Sequence, residues 1–253
     1  MATSSDKARA FAALHRPGDP VVLYNAWDAG SARAVAEAGA KAIATGSASV
    51  AAAHGFHDAE ALPLELALAN AARVAAAVEL PVTIDFEGAY AVAPDEAGAN
   101  AAKLAATGAI GCNFEDQVIG GSGLHPTELQ AARIRAIRAA VGPHFFINAR
   151  TDIFIQARPA PQDAAMVDAA LARAHAYAEA GANGIFVPVL ADLALLARFC
   201  AASPLPVNFM AFPGAPPAAE VAAAGVARIS HGPFPWKLAM QALKDAAAAA
   251  MAG

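Results

Sequence analysis

Cysteine is nearly absent from this 253-residue chain: Cys112 and Cys200 stand in unrelated contexts with no CxxC pair, which argues against a disulfide framework or a structural zinc site. Charge is sparse too, at 15% of residues against 57% hydrophobic, and a chain so apolar is not intrinsically disordered. Basic residues do not dominate: 17 Lys and Arg face 22 Asp and Glu, a net charge of −5, without the basic stripe that a duplex-DNA binder requires. Long apolar runs are missing as well. The alanine-rich stretches are cut by charge or by Gly and Pro before they could span a bilayer, and the first twenty residues hold no apolar core of a signal peptide. The expectation is a soluble cytoplasmic protein with no nucleic-acid or membrane partner.

What is abundant is alanine, 76 residues, the best helix former. Short runs rich in β-branched or aromatic residues interrupt it at 21–27, 42–49, 81–87, 111–116, 145–152, 183–189, 206–212 and 227–231. Each is followed by a longer Ala/Leu segment, the last from 235 to about 251, giving eight predicted strands and eight helices. The junctions repeat: Glu37-Ala-Gly-Ala, Ala106-Thr-Gly-Ala, Glu179-Ala-Gly-Ala and Ala223-Ala-Gly-Val each place a helix-ending glycine just before a strand. Eight β/α units predict an α/β fold of the (β/α)8 TIM-barrel type, one domain over 1–253. An open doubly wound sheet also alternates strand and helix, but Asn25-Ala-Trp-Asp-Ala-Gly-Ser after the first strand is no glycine-rich nucleotide loop.

Chemistry in such a barrel sits at the C-terminal strand ends, and those ends are polar. Asn25 and Asp28 follow strand one, Thr45 and Ser47 strand two, Asp85 and Glu87 strand three. Asn113, Glu115 and Asp116 end strand four, and Asn148, Arg150 and Asp152 strand five. Asn208 lies on strand seven, Ser230 and His231 end strand eight, and strand six alone ends apolar, Val187-Pro188-Val189. Alternation puts Asp85 with Glu87, Asn113 with Glu115, and Asn148 with Arg150 and Asp152 on inward faces, with Cys112 turned to the helix layer. Carboxylates crowded at a partly dry rim need a counter-charge, and Mg²⁺, with Mn²⁺ as a substitute, suits an all-oxygen donor set. Pairing with Arg150 is the competing way to neutralise them.

Five segments carry a resemblance: Thr45-Gly-Ser-Ala-Ser, Gly55-Phe-His-Asp58, Thr83-Ile-Asp-Phe-Glu-Gly-Ala-Tyr90, Gly111-Cys-Asn-Phe-Glu-Asp-Gln117 and Ile147-Asn-Ala-Arg-Thr-Asp-Ile-Phe154. Together they resemble the isocitrate lyase/phosphoenolpyruvate mutase superfamily. The resemblance implies an Mg²⁺-dependent barrel, usually oligomeric (a dimer or tetramer), with its last helix often exchanged between neighbours. It further implies Asp85 as the direct metal ligand, with Asp58, Glu87 and Glu115 holding metal-bound waters. Gly46 and Ser47 would hold the substrate carboxylate, and Arg150 would steady the substrate's oxygens. Thr45 and Asn208 complete the substrate-binding candidates.

The chain departs from the family after strand four. Where the C–C lyases carry a K-K-C-G-H loop, it has Gln117-Val-Ile-Gly-Gly-Ser-Gly-Leu-His-Pro126, a glycine-rich lid candidate with Ser122 and His125 as its only proton-handling groups. The mutases place a His at the end of strand six, where this chain has Pro188. Three readings compete. The first is a lyase that breaks a C–C bond in a small 2-oxo or 2-hydroxy carboxylic acid through an enolate, decarboxylation included. The second is P–C chemistry, as a phosphonomutase or phosphonopyruvate hydrolase, and the third a non-catalytic barrel that binds metal and dicarboxylate.

Overall fold

The computed structural model describes residues 3–252. Eight parallel strands form one sheet: β1 (Val21–Leu23), β2 (Ile43–Ala44), β3 (Val82–Asp85), β4 (Gly111–Glu115), β5 (Phe146–Arg150), β6 (Gly184–Phe186), β7 (Val207–Met210) and β8 (Arg228–Ser230). Each ladder joins strands consecutive in the chain, and β1 pairs with β8. Between β1 and β2 a single parallel bridge, Ala26 to Thr45, brings the sheet round, with the Ala26 N–H donated to the Ala44 carbonyl at 2.8 Å. This is the expected (β/α)8 TIM barrel.

Among the described residues eleven helices are formed rather than eight. Those between strands are α2 (Ala29–Glu37), α4 (Leu64–Ala77), α5 (Pro94–Ala106), α6 (Thr127–Val141), α8 (Ala164–Glu179), α9 (Leu193–Ala202) and α10 (Ala218–Ala223), with α11 (Phe234–Ala252) last. The additions are α1 (Ser4–Ala13), α3 (Ser47–Ala53) and α7 (Ile153–Gln156). Helix α1 starts in a capping box, in which Thr3 and Asp6 each accept the other's backbone N–H at 3.1 Å. Strand two is cut short because Gly46 is still extended while Ser47 already begins α3.

The four helix-ending glycines are where the junction pattern put them. Gly39, Gly108, Gly181 and Gly225 have φ between +94° and +102°, a left-handed conformation that a side chain resists.

Apolar packing falls into three clusters, the two largest of which frame the barrel. The larger cluster lies between sheet and helices and includes Cys112, Phe114, Ile147, Phe154 and Phe209; Cys112 is turned to the helix layer as alternation requires, and burial pushes its thiol up to about 12. The smaller one fills the barrel floor, where Ala8 and Phe11 of α1 meet Val21, Leu23, Ala44 and Phe146. Phe11 stands edge-on to Phe146 at 5.1 Å and His15 stacks on the same ring at 4.3 Å. Helix α1 therefore seals the end of the barrel opposite the polar strand ends. No helix among the described residues is long and apolar enough to cross a membrane.

Candidate active site

Ladder register sets the site. Asp85 lies beside Asn113, and Glu115 beside Arg150, so inward side chains of β3, β4 and β5 converge at one mouth. They border a cavity of about 170 Å³, whose lining includes Asn25, Gly46, Ser47, Asp58, Asp85, Asn113 and Arg150. That is below the 300–1,000 Å³ usual for drug-sized ligands; the space suits a small substrate.

Asp85 is fixed from three sides. Its carboxylate accepts from the Ser47 backbone N–H at 3.0 Å and the Asn113 amide at 3.3 Å, while its own N–H is donated to Thr45 Oγ1 at 3.1 Å. Asn113 is held in turn: its Oδ1 accepts from Asn148 Nδ2 at 2.9 Å and Arg228 Nη2 at 3.1 Å. Asp58 arrives on the loop after α3, where burial first and then the Asp85 charge push its carboxyl up. Glu87 lies just past β3, and burial with Asp58 and Asp85 nearby pushes it to about 8. The chain has already left the strand there: Glu87, Ala89 and Tyr90 have φ of 50°, 61° and 55°, as do Ala59 and Glu60 opposite at 68° and 58°. Left-handed residues with side chains are strained. Here two acids bind the paired turns together: Glu87 Oε2 accepts the Glu60 N–H at 2.8 Å, and Glu60 Oε1 accepts the Tyr90 N–H at 2.7 Å.

Among the described residues, no Lys, Arg or His forms an ion pair with Asp58, Asp85 or Glu87. Nor do three acid, His or Cys side chains meet closely enough to enclose an ion by themselves. Mutually repelling carboxylates on a buried rim, with one strand-borne ligand and others set further back, nonetheless fit a hard divalent cation that keeps several waters. The residues present are compatible with Mg²⁺ or Mn²⁺.

Several expected roles are revised by position. Glu115 is engaged by Arg150 at 2.7 Å, so it is neutralised by the guanidinium rather than left for a metal-bound water. Burial pushes its carboxyl up and the Arg150 charge opposes that. Arg150 also grips Asp152 through Nε at 2.6 Å and Nη2 at 2.8 Å. Burial disfavours its charge, but the two carboxylates outweigh burial and raise its pKa. The Ser47 N–H is spent on Asp85, leaving Gly46 and the rest of Ser47 among the residues that line the cavity with Asp58. Thr45 does not line that space; its hydroxyl braces Asp85. Asn208 lies in the barrel interior, where Asn148 donates to its Oδ1 at 3.0 Å and its Nδ2 donates to Ser230 Oγ at 3.1 Å.

The loop after β4 does not reach the cavity. Ser122 is exposed at its tip. His125 is pinned at its base, its N–H donated to the Asp116 carbonyl at 2.8 Å and its own carbonyl accepting from Arg173 at 3.0 Å. Both loop ends rest on Asp116, which accepts Tyr177 Oη at 2.7 Å and Arg173 at 3.0 Å on the same oxygen. Sequence reasoning missed this cluster, since Arg173 and Tyr177 look like ordinary helix residues. It also missed Glu60, whose role depends on a turn geometry with no sequence signature.

Similarity to known proteins agrees with this geometry. The family model described as phosphoenolpyruvate phosphomutase matches residues 11–251. A crystal structure from Burkholderia cenocepacia with a provisional phosphonomutase description is 48% identical, covers 99% of this chain and 100% of that one, and superposes with a TM-score of 0.94. The 2-methylisocitrate lyase of Escherichia coli is 29% identical over 208 residues, 79% of this chain and 68% of its own length. A phosphonopyruvate hydrolase structure complexed with oxalate and Mg²⁺ shares the fold, at 22% identity and a TM-score of 0.82 over 94% of this chain and 84% of that one. The chain belongs to the phosphoenolpyruvate phosphomutase family, within the isocitrate lyase/phosphoenolpyruvate mutase superfamily of enzymes that act on small carboxylic acids.

Proposed function

We propose that this enzyme is an Mg²⁺-dependent lyase, with Mn²⁺ able to substitute, that breaks a C–C bond in a small 2-oxo or 2-hydroxy carboxylic acid through an enolate, decarboxylation included. The observation that carries the reading is the uncompensated carboxylate rim of Asp58, Asp85 and Glu87 beside one fixed cation, Arg150. Asp85 would hold the metal directly, and Asp58 and Glu87 would hold its waters. When bound, such an ion supplies a Lewis acid for the substrate's carboxylate and oxo oxygens. Arg150, already oriented by Glu115 and Asp152, adds charge-assisted hydrogen bonds to the same oxygens. Gly46 and Ser47 border the carboxylate end. The loop 117–126 acts as a lid that would carry Ser122 over the mouth and exclude water; His125 stays at the hinge.

P–C chemistry is the second reading, favoured by the phosphonomutase description of the Burkholderia relative. A panel of oxaloacetate, 2-methylmalate-like acids, isocitrate homologues and phosphonopyruvate, assayed for pyruvate or glyoxylate release, separates the two. For the shared metal site, oxalate should bind only with Mg²⁺ or Mn²⁺ present, and Asp85→Ala should abolish that binding. Oxalate affinity without a metal would remove the mechanism.

We also propose that the chain works as one domain in a cytoplasmic homo-oligomer. Of α11 only Pro235 is fully buried, while Leu238 and Leu243 stay 64% and 61% exposed. Beside them runs a groove of about 540 Å³ whose walls include Trp27, Val35 and Ala239. Apolar surface of this kind marks an interface.

A further inference from the structure

Beneath the cavity lies a second cation, Arg228. It is fully buried on β8, two residues before the cavity-lining Ser230 and on the same face of the strand. In the cyclic strand order β8 stands opposite β4, and the side chain crosses the barrel to donate from Nη2 to Asn113 Oδ1 at 3.1 Å. Nε and Nη1 have no protein partner, and among the described residues no acid forms an ion pair with the guanidinium. Its charge is felt at both ends of the barrel. At the floor it helps to lower the pKa of His15. Burial lowers its own pKa to about 10, and the charge of Asp85 at the mouth opposes that fall. A buried guanidinium with no acid beside it is costly, and an apolar side chain of similar volume in its place is often neutral or stabilising. Packing alone does not account for an arginine here.

Building on the metal-dependent lyase reading, we propose that Arg228 is a positioning residue of the active site, aiming Asn113 at Asp85 from below and favouring an anionic ligand on the bound metal. Asn113 Oδ1 is occupied by N–H groups of Arg228 and Asn148, so Nδ2 is the end turned to Asp85. The charge of Arg150 is balanced by Glu115 and Asp152; that of Arg228 is not. In a dry interior an uncancelled positive charge repels a divalent cation and attracts the carboxylate or enolate oxygens that the cation holds. Metal alone and anion on the metal therefore respond to Arg228 with opposite sign.

Calorimetric titration of the intact protein tests this, first with Mn²⁺ alone and then with oxalate at saturating Mn²⁺. Arg228→Met and Arg228→Gln should each weaken oxalate about tenfold while binding Mn²⁺ at least as tightly as wild type. Arg228→Lys, which keeps the charge, should bind oxalate nearly as wild type does. A purely structural role would weaken Mn²⁺ and oxalate together, and that result overturns the proposal. So does oxalate affinity untouched in either neutral variant, since the glutamine can keep the Asn113 bond but not the charge. One neutral variant decides if the other does not fold; failure of both to fold makes Arg228 a requirement of the fold and overturns the proposal too. Wild-type protein that binds oxalate without metal, or not at all, overturns the lyase reading and this proposal with it, whereas metal-dependent wild-type binding with indifferent variants overturns the proposal alone.

Discussion

His15 lies under the barrel, stacked on Phe146, with Nδ1 2.9 Å from the Phe11 carbonyl and Nε2 without a partner. Burial, followed by the Arg228 charge, lowers its pKa to about 3 from 6.5. Above pH 6.5 folded and unfolded chains both carry it neutral, so its contribution is fully present there. As pH falls, the unfolded chain takes up the proton first, and stability drains away towards pH 3. His15→Phe keeps the aromatic stack and removes this titration. Between pH 7 and pH 5 the wild type should lose ~2 kcal/mol more than the variant, as read by urea unfolding at each pH. An equal loss in both would show that His15 is not the acid-sensitive group. The convergence of Asp85, Glu115 and Arg150 at the candidate site was legible because β3, β4 and β5 alternate cleanly up to them. Asn208 misled because an inward amide can serve the interior as well as the mouth, and spacing does not separate the two.

Helices α5 and α6 pack at Gly98, where an added Cβ would lie 2.9 Å from the Ala136 carbonyl oxygen. Alanine is the better helix former by about 1 kcal/mol, so propensity alone predicts that Gly98→Ala stabilises. The backbone of α6 cannot yield as a side-chain tip can, and overpacking costs about 1–3 kcal/mol. The variant should therefore be less stable than wild type; a raised melting temperature would show that the two helices separate freely. At this scale the four glycine stops were readable because a left-handed helix end has a residue preference. The extra helices were not. Helix α3 follows β2 so directly that Ser47 and Ser49 read as strand, and α7 is a single turn inside an apolar run. Helix α1 has a capping signal, Thr3 with Asp6, but its place beneath the barrel depends on Phe146, far away in sequence.

For the molecule as a whole, the lightly buried α11 predicts assembly. Light scattering should give a mass of more than one chain, and Leu238→Asp with Leu243→Asp should shift it to the monomer without loss of secondary structure, since both side chains are mostly exposed within one chain. A monomeric wild type would remove the interface. The eightfold repeat made the barrel legible; which outer face meets another copy was not, because an apolar helix stripe reads alike against its own barrel or a neighbour's.

The α1 plug makes the molecule a cup rather than a tube. Under the proposed lyase chemistry, whatever enters by the mouth would leave by the same opening, so the two fragments would depart in sequence, the piece nearer the rim ahead of the piece held at Asp85 and Arg150. Product-inhibition patterns would report that order: the last fragment out competes with fresh substrate, and the first does not.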